Sequence, residues 1–132
     1  MFSLLKKKIG GESIVTVRST PIGEGVFRKA GSLYKSWHQR RYVIYKDKSL
    51  IYFKNNDAVG SISLENVQLT EGSQENLLKS ESHTISHEGV AIDIYSVVDA
   101  RKLEVVFDFK SELQHFLKLL DQAGAHTNAK VL

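Results

Sequence analysis

The chain has 132 residues, of which 42% are apolar and none is cysteine. This length suits one hydrophobic core, and the lack of cysteine excludes disulfides, thiolate metal sites and cysteine nucleophiles. No apolar run approaches the length of a membrane span, and Phe2 rather than glycine follows Met1. We therefore expect a cytoplasmic protein whose contact with a membrane surface is peripheral and non-covalent.

The net charge of +3 is spread unevenly along the chain. Between Arg28 and Lys54, eight basic residues stand against Asp47 alone, and the rest of the chain carries an acidic excess. Such a distribution predicts one cationic surface that suits an anionic partner, whether lipid headgroup, nucleic acid or acidic protein. Charge alone does not separate this reading from a set of solvated hairpin lysines.

The predicted elements begin after an N-terminal extension, residues 1–23, which we interpret as a tail or an extra strand over Ile14–Val17. Short β-rich runs separated by polar turns then predict a mainly β body with consecutive antiparallel pairing. The predicted strands are Gly25–Ala30, Gln39–Lys46, Ser49–Lys54, Gly60–Leu64, Val67–Thr70, Val90–Val97 and Lys102–Asp108. We expect hairpin loops at Lys46–Ser49 and Asn55–Val59, and a surface loop over Glu71–Ser82.

One helix is predicted after the strands. Leu113, Phe116, Leu117 and Leu120 recur with helical spacing. Ser111 and Gln114 have capping-box spacing before them, and Gly124 marks the end. The sequence therefore predicts a bent seven-stranded antiparallel sandwich or barrel, closed at one end by a C-terminal helix. The domain would span residues 24–123, with residues 124–132 as a tail.

Several segments resemble the pleckstrin-homology family in their order and spacing. They are Gly25–Lys29, Trp37–Ile44, Leu50–Phe53, Gly60–Leu64, Ile92–Tyr95, Lys102–Phe107 and the helix Ser111–Leu120. The family's C-terminal helix usually carries a tryptophan where this chain has Phe116, and another large aromatic would still fill that core position. The resemblance implies a non-catalytic module of signalling and adaptor proteins that binds phosphoinositide headgroups at membranes.

The resemblance also implies where the headgroup binds. Phosphoinositide-binding members have a lysine near the end of the first strand, a lysine-x-arginine pair opening the second and a tyrosine on the third. Lys29, Arg40 and Tyr52 match these positions, with Lys35 in the intervening loop as a further cation. An arginine fork, an ammonium and a phenol suit a ring phosphate because each gives it charge-assisted or strong hydrogen bonds.

Two positions depart from that pattern and affect the expected ligand. His38 stands where the first base of the pair is usual, and Val59 stands where binders of trisphosphates often have a base. Histidine is a weaker phosphate ligand than lysine at neutral pH. We therefore expect mono- or bisphosphorylated headgroups. Leu33 and Tyr34, in the loop after the first strand, are candidates for contact with the membrane interface.

No catalytic constellation is present in the sequence, and we predict no enzyme, cofactor or metal site. His83 and His87 have metal-ligand spacing only on a helix, and His115 and His126 are predicted surface residues. The alternative function is a protein-interaction or scaffold domain of the same fold, with weak or no lipid specificity. We expect a monomer without a nucleic-acid partner, although bases interleaved with Trp37, Tyr42 and Tyr52 can imitate a stacking groove.

Overall fold

The computed structural model describes residues 3–9, 13–31, 37–72 and 89–125. Within these ranges the chain forms nine strands and one helix. The strands are β1 (Ser3–Ile9), β2 (Ser13–Ser19), β3 (Pro21–Ala30), β4 (Trp37–Tyr45), β5 (Ser49–Lys54), β6 (Asp57–Ser63), β7 (Gln68–Glu71), β8 (Val90–Ser96) and β9 (Arg101–Phe107); the helix is α1 (Lys110–Gln122). Among the residues that the structure describes, no helix is both long enough and apolar enough to cross a membrane.

Strands β3 to β9 form one antiparallel sheet in the order β6-β5-β4-β3-β9-β8-β7. The predicted seven-stranded sheet with one C-terminal helix is therefore confirmed. Consecutive pairing was wrong at one point, because β6 and β7 lie at opposite edges of the sheet. The chain turns between them through Asn66 in the left-handed region (φ 54°) and enters the second half of the sheet. Pairing of β3 with β9 joins the two halves.

Two strands begin at least three residues before the position predicted from the sequence. The β5–β6 hairpin needs only Asn55 and Asn56, since Asn55 adopts the left-handed conformation (φ 57°) that a tight turn requires. Strand β6 therefore begins at Asp57, and the predicted loop over Asn55–Val59 was too long. Strand β3 likewise begins earlier than predicted, at Pro21.

The main core lies between the inner face of the sheet and α1. Phe27 of β3 stacks on Tyr42 of β4 with ring centroids 5.0 Å apart. Phe116 of α1 meets Tyr42 edge-on at 5.4 Å and lies 5.3 Å from Phe107. Phe116 is fully buried, so a phenylalanine does fill this helix position. Leu119 and His115 of α1 lie against Gly23 and Glu24, so the helix packs near the beginning of β3, and Ala30 lies at the other end of that strand.

A second apolar cluster lies on the outer face of β4, β5 and β6. Its members alternate along the strands with the inner-face residues, and they are Val43, Tyr45, Ile51, Phe53 and Ala58. All five are buried. The N-terminal hairpin of β1 and β2 lies on this part of the molecule, since β1 contacts β6 and the Lys46 N–H donates to the Thr20 carbonyl at 2.9 Å. In the half of the sheet made of β4, β5 and β6, both faces are thus apolar.

The ends of α1 differ in how they are capped. Phe109 occupies the N-cap position and makes no side-chain capping bond, so the predicted capping box at Ser111 was wrong; Ser111 lies inside the first turn. At the other end the helix stops at Gln122 with Ala123 as its C-cap, and the predicted stop residue, Gly124, follows directly. The Gly124 N–H donates to the Asp121 carbonyl and the Ala125 N–H to the Leu120 carbonyl, each at 3.0 Å, which is the hydrogen-bond pattern of a Schellman motif.

Replacing Gly124 by alanine is expected to lower the free energy of unfolding by about 1–2 kcal/mol. Gly124 has φ 72°, where a Cβ is disfavoured, and the space around it is otherwise open. Urea denaturation of the variant measures the loss. Gly124→Asn is the matched control, because asparagine tolerates this conformation better and should cost less. Equal losses for the two variants would contradict the conformational explanation.

Candidate functional site

The β3–β4 hairpin carries three candidate residues to one end of the sheet. Lys29 lies directly opposite His38 in the register of the two strands, and Arg40 lies opposite Phe27. Because side chains alternate along a strand, Lys29 follows Phe27 on the inner face and Arg40 precedes Tyr42 there. Phe27 and Tyr42 belong to the core. The basic side chains therefore continue the core face beyond its apolar part, at the end opposite α1.

These residues line a cavity of about 440 Å³ at that end. Its walls are formed by Lys29, Ala30, Gly31, His38, Arg40, Tyr52, Val59 and Arg101. The structure thus brings together four of the five predicted ligand-binding residues. The fifth, Lys35, lies outside the described residues, as do the candidate membrane-contact residues Leu33 and Tyr34 and the histidines His83, His87 and His126.

Tyr52 joins the core to the cavity. Its ring is buried in the main cluster, and its hydroxyl accepts a hydrogen bond from Arg101 Nη2 at 3.2 Å. Gly60 lies beneath it, and a Cβ there would overlap the Tyr52 hydroxyl and ring. Tyr52 therefore belongs both to the main core and to the wall of the cavity.

Arg101 is a wall residue that sequence reasoning missed. It opens β9, and its Nη1 donates to the Ser61 carbonyl at 3.2 Å. It reaches the cavity because β9 pairs with β3, with Lys29 opposite Val105. A basic residue at the start of the last predicted strand was the available signal, but its use required knowing that the last strand lies beside the first strand of the sheet.

The cations of the cavity differ from other cations of the protein in their partners. Among the described residues, Arg28 pairs with Asp108 at 2.8 Å and Arg41 with Glu24 at 3.6 Å. The hydrogen bonds of the cavity cations go instead to uncharged oxygens. Lys29 Nζ donates to the Ala30 carbonyl at 3.0 Å, Arg40 Nη1 donates to the Gln39 carbonyl at 3.0 Å, and Arg101 donates to Tyr52 and Ser61.

Lys29 is affected both by burial and by the other charges around the cavity. Its Nζ is 5.1 Å from the centroid of the Tyr52 ring. Burial lowers the pKa of Lys29 from its ordinary value of 10.5, and the charges of Arg101 and Arg40 lower it further, while Glu104 acts in the opposite direction. A bound anion would compensate this repulsion, because opposite charge nearby favours the ammonium form. With Lys29, Arg40 and Arg101 in its wall and the Glu104 carboxylate only partly offsetting their charge, the cavity is electropositive.

The fold and the cavity together define a helix-capped β-sandwich with a cationic cavity at its open end. The family model described as PH domain matches residues 21–124. The chain belongs to the PH-domain family. No curated protein matches it significantly.

Solved structures agree with this assignment. The carboxyl-terminal PH domain of pleckstrin is 21% identical with a TM-score of 0.61, over 80% of this chain and 98% of that chain. The same domain in complex with D-myo-Ins(1,2,3,5,6)P5 is 19% identical with a TM-score of 0.61, over 80% and 96%. The PH domain of human oxysterol binding protein-related protein 11 is 17% identical with a TM-score of 0.53, over 76% and 78%. At these identities the likeness shows the fold.

Proposed function

We propose that this chain is a non-catalytic membrane-targeting module that binds the phosphorylated inositol headgroup of a phosphoinositide in the cationic cavity. The observation that carries the proposal is the set of three cations, Lys29, Arg40 and Arg101, whose hydrogen bonds go to neutral oxygens. Cations kept together around one cavity repel one another, as the effect of Arg101 and Arg40 on Lys29 indicates, and an anionic ligand turns that repulsion into attraction. Solvated surface lysines would not need a shared cavity.

The shape and the donors of the cavity suit a small polyanion. A volume of about 440 Å³ lies in the usual range for small-molecule sites, roughly 300–1,000 Å³. Arginine offers planar paired donors and lysine a point charge, and both form strong hydrogen bonds to phosphate oxygens. His38 and Val59 occupy the remaining wall. With fewer permanent cations than a trisphosphate would need, the proposed ligands are mono- and bisphosphorylated headgroups.

A titration with soluble headgroups tests the proposal. Inositol 1,4-bisphosphate is added to the full chain, and amide shifts are followed by nuclear magnetic resonance, with unphosphorylated inositol as the blank. We expect shifts at Lys29, Arg40 and Arg101. Arg40→Ala should weaken binding about tenfold or more, since a hydrogen bond to a charged group contributes roughly 1.5–3 kcal/mol.

Arg41→Ala is the matched control for this experiment. Arg41 is the next residue in the chain, but its guanidinium pairs with Glu24 and lies 4.3 Å from the centroid of Phe53 on the outer face. It should therefore keep the affinity of the unchanged protein. Equal loss in both variants would indicate non-specific attraction to positive charge. Absence of any headgroup binding would favour the protein-interaction function over the lipid-binding one.

A further inference from the structure

The turn between β8 and β9 exposes two adjacent valines. Val97 is 44% exposed and Val98 is 59% exposed, the largest fraction among the large hydrophobic residues that the structure describes. Tight turns favour glycine, asparagine, aspartate and serine, and β-branched residues are unusual there. Ala100 in the same turn has φ 51°, a conformation that favours glycine. The residues of this turn therefore depart from the usual turn preferences in two ways, and such departures are expected at functional or strained sites.

Hydrogen bonds hold this turn against β6. The Asp99 N–H donates to Ser96 Oγ at 3.2 Å, and the Ser63 N–H donates to Asp99 Oδ2 at 2.8 Å. Arg101, at the base of the turn, donates to the Ser61 carbonyl at 3.2 Å. The valines thus lie on a braced turn rather than on a free loop. An apolar group that is already positioned loses little conformational entropy when it binds.

The valines lie at the cavity end of the molecule. Ser96 and Arg101 form the last pair of the β8–β9 hairpin, and Arg101 lines the cavity. Val59, which is 38% exposed, lines the same cavity. Exposed aliphatic side chains and the cations of the cavity therefore occupy the same end of the sheet.

We propose that Val97 and Val98 enter the interfacial layer of an anionic bilayer while Arg101, at the base of their turn, faces the headgroups. The inference rests on the proposed function and adds a second, apolar contact to it. A bilayer fits better than a protein partner, because a two-residue apolar tip is far smaller than the roughly 1,000 Å² that a specific protein interface needs. Cations bordering an apolar tip match the charge and polarity profile of a lipid surface.

The lack of cysteine allows a direct test of insertion. Val98→Cys gives the chain a unique thiol, which is labelled with an environment-sensitive nitrobenzoxadiazole dye. The labelled 132-residue chain is added to phosphatidylcholine vesicles containing phosphatidylinositol 4-phosphate and phosphatidylserine. We expect the emission to shift to the blue and increase on binding. If the labelled chain sediments with the vesicles but its emission spectrum stays as it is in buffer, the proposal is overturned. A chain that binds no anionic vesicle would overturn it as well.

Val26 supplies the matched control position. It is 37% exposed but lines a separate cleft beside α1. The emission spectrum of a label at Val26→Cys should therefore be the same with vesicles as in buffer. A second variant, Val97→Ser with Val98→Ser, should reduce vesicle partitioning about tenfold and leave the affinity for soluble inositol 1,4-bisphosphate unchanged. Vesicle binding equal to that of the original chain would contradict the proposal.

The two proposals fail separately in these experiments. If soluble headgroup does not bind but the label at position 98 enters anionic vesicles, the cavity proposal is wrong and the apolar contact stands. If soluble headgroup binds while the label at position 98 behaves like the label at position 26, the cavity proposal stands and the apolar contact is wrong.

Discussion

Replacing Lys29 by methionine is expected to lower the affinity for a phosphorylated inositol headgroup about 10- to 100-fold without lowering the melting temperature of the free protein. The affinity falls because Lys29 would lose its charge-assisted hydrogen bond to phosphate. The fold keeps its stability because burial and the neighbouring arginines already disfavour the charged form, as the lowered pKa of Lys29 records. Isothermal titration calorimetry and thermal denaturation measure the two effects.

The sign of the pH dependence follows from the same pKa. The folded protein loses the Lys29 proton at a lower pH than the unfolded chain does, so folding is favoured as the pH rises through the lowered pKa. Headgroup affinity should change in the opposite direction and weaken there, because the neutral amine no longer attracts phosphate. Lys118→Met is the control, since Lys118 is exposed on α1 and its replacement changes the net charge equally. A large fall in melting temperature for Lys29→Met with unchanged affinity would indicate a structural role only.

Replacing Phe116 by alanine is expected to lower the free energy of unfolding by about 3–5 kcal/mol. Phe116 is fully buried and contacts the rings of Tyr42 and Phe107, so the shorter side chain leaves a cavity where α1 closes the sheet. Small domains have total stabilities of roughly 5–15 kcal/mol. The variant should therefore be partly or wholly unfolded at physiological temperature, as urea denaturation and near-ultraviolet circular dichroism would show.

Phe109→Ala is the matched control for that loss. Phe109 is 46% exposed and, at the N-cap, contributes no side-chain capping bond. Its replacement should change the stability by no more than about 0.5 kcal/mol. Similar losses for the two phenylalanines would contradict the packing described for α1.

The fold could be predicted because the apolar residues of this chain form clear patterns. The consecutive apolar runs Tyr42–Tyr45 and Leu50–Phe53 mark strands that are buried on both faces. The helical spacing of Leu113, Phe116 and Leu120 reflects burial on one side of α1. The start of α1 was missed because Ser111 has the residue type and spacing of a cap, whereas the N-cap is Phe109, which makes no side-chain capping bond. Local patterns identify elements better than they identify the residue at which an element begins.

The site was only partly predictable, for a different reason. Lys29, His38 and Arg40 come from one hairpin, so their proximity follows from local pairing. Arg101 comes from β9, and it reaches the cavity only because the sheet joins β9 to β3. The electrostatic surroundings of Lys29 likewise depend on residues distant in sequence, Arg101 and Glu104. Headgroup binding by these residues is a prediction, and the titration with inositol 1,4-bisphosphate tests it.

The apolar outer face of β4, β5 and β6 has a consequence for the limits of the folding unit. The family match begins at residue 21, after the hairpin whose β1 contacts β6. A fragment that begins at that boundary would lack the hairpin beside β6, and we expect it to leave part of the apolar outer face less covered, which favours aggregation. We therefore expect a fragment without residues 1–20 to aggregate more readily than the 132-residue chain.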